Sequence, residues 1–542
     1  MAGGIRKLRG RTRADRATAN TLGDMAVFFF LPILQIRAIG AEGAAILILP
    51  FGAIVLMHLL SEAIWERPTY RGVRLLLRSG REGEAADCRR KMSRFGALTG
   101  LVIALVLPMI APLLFGDEAS RMGTGWIMLA VLPALVFAGA IGPRKGFLRA
   151  QGAGAELVLT VLLQTLLLIF MPCVFGVILG RYGARVDALL LTDQYAAVYG
   201  AIGAMAGMSL AFFCAWLIVF VAGLKFRVPN LALGSGRPRG GYAYFSTDGV
   251  LFLAGFAVCI FDLWRFFHAA LSEKEAALVT DGTVLSGAAL FGRFGATVFA
   301  PFVMIGCILS IPFILSVYQI HARFQREDDA SAIDRYAGMI RHAMILFLPV
   351  TFLLSALATP VQTIINGKPD EMMEGLFRIQ ILAVPLLAFG ILLALLFVKC
   401  GSVRAVLLAG AAGIAVHVIA VFLFTAGGRG IYAYVFAHLL GFLVFVSVTG
   451  VLLAAAFSYR QEWVHGLIIP FLSAAVSALP GFALASVLSG VIGEILTVVL
   501  VTAVGLLLYM VLLTVFHGIT EYELYHIPGG KLFVGLSRLF GR

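Results

Sequence analysis

Val284-Leu285-Ser286-Gly287-Ala288-Ala289-Leu290-Phe291-Gly292-Arg293-Phe294-Gly295-Ala296, continuing apolar to Gln319, is the stretch that decides how the rest of the chain is read. It is long enough to cross a bilayer, yet it carries a guanidinium roughly nine residues, about 14 Å, inside its start. An ionisable side chain at that depth costs at least ~2.5 kcal/mol and normally faces a watery cavity or a partner. Arg293 is therefore the first candidate for a functional contact.

Outward from that stretch the composition is uniform. Hydrophobic residues make up 61% of the 542 and charged residues 13%, too little polar surface to cover a soluble globule. The ends of the apolar runs predict fourteen transmembrane helices, near 20–38, 42–64, 94–116, 124–143, 155–178, 196–223, 241–264, 284–319, 337–362, 373–398, 403–424, 430–457, 465–489 and 491–516. Barrel strands would alternate in short segments instead of staying apolar for some twenty residues, so the expected class is an all-α polytopic membrane protein.

The net charge of +13 invites a nucleic-acid reading, but its placement excludes one. Most of the 42 Lys and Arg fall on the side of the N-terminus when loops are assigned alternately to the two faces. That is the positive-inside bias, which predicts cytoplasmic N- and C-termini and an even number of spans. Anionic membrane lipids are the partner expected for the surplus charge. The six cysteines are scattered without metal or disulfide spacing. The basic run Arg6-Lys7-Leu8-Arg9 precedes a helix without a small-residue cleavage signature, and reads as an anchor.

The same order of landmarks occurs twice. Tyr70, a basic amphipathic loop, a helix, Gly116-Asp117-Glu118 and Pro133 correspond to Tyr318, a polar loop, a helix, Gly367-Lys368-Pro369-Asp370-Glu371 and Pro385. An even number of helices per unit makes this a parallel repeat about an axis along the membrane normal. The expected organisation is an N-lobe over residues 1–223, a Gly/Pro/Arg-rich linker over 224–240 and a C-lobe over 241–457. A helix pair over 458–517 and an amphipathic tail over 518–542 follow. The two lobes would hold six helices each in a pseudo-two-fold arrangement. The Gly-rich patch Leu233-Gly234-Ser235-Gly236 falls in the linker, where flexibility accounts for it better than a phosphate loop does.

Three stretches carry a family resemblance: the ending Glu521-Tyr522-Glu523-Leu524-Tyr525-His526-Ile527-Pro528-Gly529-Gly530-Lys531-Leu532, the turn Phe147-Leu148-Arg149-Ala150-Gln151-Gly152, and Ile311-Pro312-Phe313. With them the chain resembles the multidrug/oligosaccharidyl-lipid/polysaccharide exporter superfamily, in the branch of stage V sporulation protein B and the MurJ-type lipid II flippases. The resemblance implies a two-lobed transporter, not an enzyme, that moves an undecaprenyl-pyrophosphate-linked oligosaccharide or peptidoglycan precursor outward by alternating access. It also implies an arginine on the eighth helix as a pyrophosphate contact, where Arg293 stands. The chain departs from the pattern too. The arginine motifs of the first two helices are missing, leaving Arg37 with Glu42 nearby, and His417 stands where relatives tend to have asparagine. Lipid II as the particular substrate is weakened by this, while the class of lipid-linked anionic glycan is kept.

The remaining candidates are polar residues in or beside spans. Arg37, Arg378 and Gln164 join Arg293 as substrate-binding candidates, because a guanidinium forks onto phosphate oxygens and stays charged in a partly dry cavity. Asp24 and Asp248 occupy corresponding halves of the first helix of each lobe, where a carboxylate binds a cation or closes a gate. In some relatives Na+ is held by the seventh, eleventh and twelfth helices, which points to Asp248, His417 and His438 as a coupling set. Imidazole is a poor Na+ ligand, so between Na+ and H+ coupling the residues favour protons; no metal assignment follows and no cofactor is expected. Against these stand plainer readings: an Arg293 pair with Asp262, an Arg293 reaching the outer headgroups, and locally hydrogen-bonded polar residues. A cation-coupled multidrug antiporter on the same fold and a non-transporting membrane partner of an envelope-synthesis complex are the alternative functions. A monomer is expected.

Overall fold

A backbone in hydrocarbon has no water to bond with, so each apolar run must close its hydrogen bonds within itself as a helix. The computed structural model bears this out: the chain is an all-α polytopic membrane protein, with no strand among the described residues. Those residues are 2–115, 124–225, 247–269, 271–280, 287–326, 328–457, 461–526, 533–535 and 538. The Gly116-Asp117-Glu118 turn, most of the 224–240 linker and the Ile527–Leu532 part of the tail lie outside them.

Twelve helices among the described residues are long and apolar enough to cross a membrane, against the fourteen expected. The expected spans 20–38 and 42–64 share one run, Ala2–Leu60, broken only at Gly40, whose φ of 77° and ψ of 177° interrupt the helix. The left-handed φ needs glycine there, and the break separates Arg37 from Glu42. The expected span 241–264 is described from Thr247, as the helix Thr247–His268.

The chain divides into two compact units, residues 31–296 and residues 1–30 with 297–542. In the 31–296 unit small residues let helices touch backbone to backbone, the packing available where no hydrophobic effect drives association. A Cβ on Gly96 would sit 2.3 Å from the Gly139 carbonyl oxygen, and one on Gly100 would sit 2.2 Å from that of Leu135, which fixes Glu82–Phe115 against Thr124–Ala150. Ser61 Oγ accepts from the Gly142 N–H at 3.1 Å and donates to the Gly139 carbonyl at 3.4 Å, tying in the preceding helix. The basic segment expected on the membrane surface is the helix Arg67–Arg78, with Thr69, Val73 and Leu76 buried at helical spacing and its arginines turned elsewhere.

In the other unit Asp329–Ala356 packs with Ile469–Ile492 and Glu494–Val515, and Tyr509 Oη donates to the Ile345 carbonyl at 3.0 Å. The tail helix Glu521–His526 begins with a capping box, in which the Thr520 N–H donates to Glu523 Oε2 at 2.8 Å and the Glu523 N–H to Thr520 Oγ1 at 3.3 Å. Arg341 donates to Glu523 Oε2 at 3.1 Å and to the Gly518 carbonyl at 3.1 Å, so the tail is bound to the helix Asp329–Ala356.

Candidate functional site

The opening stretch is no single straight helix. It runs as Gly287–Phe294, a π-helical turn over Gly295–Phe299, the helix Ala300–Ser310, a 3-10 turn at Ile311–Phe313 and the helix Ile314–Phe324. Pro312 removes a backbone donor at the second break, and π-turns recur at functional positions. Arg293 is half-buried immediately before the π-turn. Its neighbour Gly292 is pressed on Ala45: a Cβ there would fall 2.4 Å from the Ala45 Cα, so no other residue fits without moving the helix. Phe291 packs on Phe266 at 4.8 Å between centroids, so the residues flanking Arg293 on its N-terminal side are held tightly.

The other predicted residues are dispersed. Arg37 is exposed just before the Gly40 break, and Asp24 is half-buried earlier in the same run. Gln164 is buried in Gly154–Leu190, and its Oε1 has no hydrogen-bond partner. Arg378 is tied into a polar cluster: its Nη2 donates to Thr359 Oγ1 at 3.0 Å, and that hydroxyl donates to Glu374 at 2.8 Å. Asp248 belongs to Thr247–His268, but its side chain lies outside the described residues.

His417 and His438 are brought together. They sit on Val403–Ala426 and Tyr432–Phe457, and their rings stack at 5.0 Å between centroids with planes 23° apart. Both are buried. His438 Nδ1 lies 3.2 Å from Gln380 Oε1, and its ring lies 5.3 Å from that of Phe299. The approach depends on a glycine pair, since a Cβ on Gly413 would meet the Gly441 carbonyl at 2.9 Å and one on Gly441 would meet His417 Cβ at 3.1 Å. The two stacked imidazoles and the Gln380 amide form a buried polar cluster within otherwise apolar helices.

A basic cavity of about 480 Å³ in the 31–296 unit was not singled out in the sequence. Its arginines are Arg89, Arg90 and Arg94 on Glu82–Phe115 and Arg144 on Thr124–Ala150, walled by Phe147 and Phe220. Arg144 lies 4.8 Å over Trp216 and 5.0 Å over Phe220, and Arg89 lies 4.5 Å over Phe147. In the sequence the arginines of the 66–94 loop read mostly as topology determinants, with capture of an anionic lipid headgroup at the inner surface as a secondary reading. The available signal was the spacing of Arg89, Arg90 and Arg94, which places them on one side of a helix end.

Neither a protein-family profile nor a curated protein sequence matches the chain. Solved structures match its fold. An inward-facing multidrug-resistance transporter of the MATE family in the MOP superfamily aligns with a TM-score of 0.56 at 14% identity, covering 80% of this chain and 95% of that one. The lipid II flippase MurJ, in an inward closed conformation, aligns with a TM-score of 0.54 at 12% identity, covering 92% and 98%. A MATE protein in complex with MaD5 aligns with a TM-score of 0.50 at 15% identity, covering 82% and 97%. The chain has the fold of MOP superfamily transporters.

Proposed function

We propose that this chain is a flippase that carries a lipid-linked, phosphate-bearing glycan from the inner to the outer leaflet by alternating access. The observation that carries the reading is Arg293, a half-buried guanidinium within an apolar spanning stretch, next to the close Gly292–Ala45 contact and followed by a π-turn. A guanidinium grips a pyrophosphate through two parallel charge-assisted hydrogen bonds, whereas a cationic drug would be repelled by it. The fold shared with MurJ supports the class of cargo, though not a particular glycan.

With the inside of the cell negative, an anion moving outward is driven by ~2.3 kcal/mol per charge per 100 mV, so a doubly charged headgroup gains several kcal/mol without an ion site. In this reading the protein lies in a bacterial cytoplasmic membrane with both termini inside, and the lobes 1–223 and 241–457 alternate about the substrate. Depleting the protein should accumulate an inward-facing lipid-linked glycan, and Arg293→Ala should reproduce that accumulation. A normal lipid-linked pool in both strains would sink the reading.

A second reading, a cation-coupled multidrug antiporter, is favoured by the His417–His438 stack, which suits a coupling proton. Export of a cationic dye that is driven by a pH gradient and unaffected by Arg293→Ala would select it.

A further inference from the structure

We infer that the arginine-lined cavity of the 31–296 unit is a docking site for the phosphate of an anionic membrane-lipid headgroup, separate from Arg293. Its lining holds four arginines and no carboxylate. Three acids near them in sequence are engaged elsewhere: Glu66 with Arg149 at 2.9 Å, Glu84 with Arg81, and Asp87 with Lys91 at 2.6 Å. Among the described residues none of Arg89, Arg90, Arg94 and Arg144 has a carboxylate within ion-pair distance, and the buried Nε of Arg144 has no hydrogen-bond partner. Four like charges around one hollow repel one another, and a phosphate oxyanion relieves that while accepting several forked N–H donors.

The apolar surroundings assign the phosphate to a lipid. Arg94 continues along its helix into Leu98, Val102 and Leu105, spaced to share its face and exposed. Phe220 and Leu224, which wall the cavity, continue into exposed Phe213 and Leu217 on the facing side of Tyr195–Lys225. Two apolar tracks thus lead away from one cationic hollow, the pattern that a charged head and acyl chains require. Arg144 and Arg89 are held on aromatic faces, so their guanidinium planes are oriented before a ligand arrives. The site follows from this chemistry whatever the transported cargo is.

The test uses the full chain in nanodiscs of phosphatidylcholine, with Trp216 as the reporter because Arg144 sits on its ring. Added phosphatidylglycerol should shift the tryptophan emission in a saturable manner, and Trp216→Phe should abolish that shift. Arg89→Gln with Arg144→Gln should weaken the apparent affinity about thirty-fold. If that pair does not fold, Arg90→Gln with Arg94→Gln, at the exposed rim, should weaken it as well. An unchanged response in a folded double variant, a shift that persists in Trp216→Phe, or an equal response to added phosphatidylcholine would overturn the site. An equal response to inorganic phosphate at matched phosphate concentration would overturn its assignment to a lipid.

Discussion

His417 stacks on His438 with ring centroids 5.0 Å apart, and both imidazoles are buried in the same unit. His438→Phe keeps an aromatic ring for the stack and for Phe299 but loses the contact with Gln380, at a stability cost of about 1 kcal/mol. If the pair couples transport to protons, this variant in proteoliposomes should lose transport driven by an imposed pH gradient while keeping transport driven by membrane potential. An undiminished response to the pH gradient would reduce the pair to packing.

Gly292 meets the Ala45 backbone so closely that any side chain must push the two apart. Gly292→Val should therefore destabilise the protein by about 1–3 kcal/mol, the range of overpacking changes. It should also reproduce the transport loss of Arg293→Ala with the arginine still present. Thermal unfolding in detergent and the pool of lipid-linked glycan report the two effects separately, and full transport by a displaced Gly292→Val helix would show that Arg293 does not depend on that contact.

Glu523 ties the tail helix to Arg341 and His342 of Asp329–Ala356. Burial alone would raise its pKa. Hydrogen bonds from His342 and from the Thr520 N–H and hydroxyl, with the Arg341 charge, instead hold it down at about 2. A depressed carboxyl contributes stability above its ordinary pKa of 4.5, and that contribution is lost as pH falls from about 4.5 towards 2. Glu523→Gln should cost on the order of 2 kcal/mol near pH 7, discounted for partial solvation, and the cost should shrink as the wild type is acidified through that window. Melting curves of both proteins between pH 3 and 7 check this; a gap independent of pH would mean that the contact is not electrostatic.

Gln164 buries an Oε1 with no partner, and an unsatisfied buried amide oxygen costs about 1–3 kcal/mol. Gln164→Leu should raise the melting temperature. If Gln164 touches substrate, transport falls in this stabilised protein; if transport is unchanged, the residue is removed from the candidates for substrate contact.

Much of the fold was legible without coordinates, because the membrane leaves a backbone so few choices. Runs of some twenty apolar residues read as fourteen spanning helices, of which twelve long and apolar enough lie among the described residues, and the basic amphipathic loop after Tyr70 falls in the helix Arg67–Arg78. His417 and His438 stood out as polar residues in apolar spans. Their contact did not, since it requires Gly413 and Gly441 to face each other, and sequence spacing does not rotate one helix against another.

Arg293 shows the same division. Its depth in an apolar stretch was plain from composition, while the π-turn that follows it and the contact of its neighbour Gly292 with Ala45, distant in the chain, were not. The basic cavity was the least legible feature. Arg89, Arg90 and Arg94 looked like ordinary positive-inside charges, and only the packing of three helices adds Arg144 and the aromatic walls to them. The sequence by itself determined that the chain is an all-α membrane protein and which polar side chains are costly within it, because hydropathy and charge are local properties. The tertiary structure decided which of those side chains meet, because rotation and close approach between helices are set by glycines and rings on separate segments.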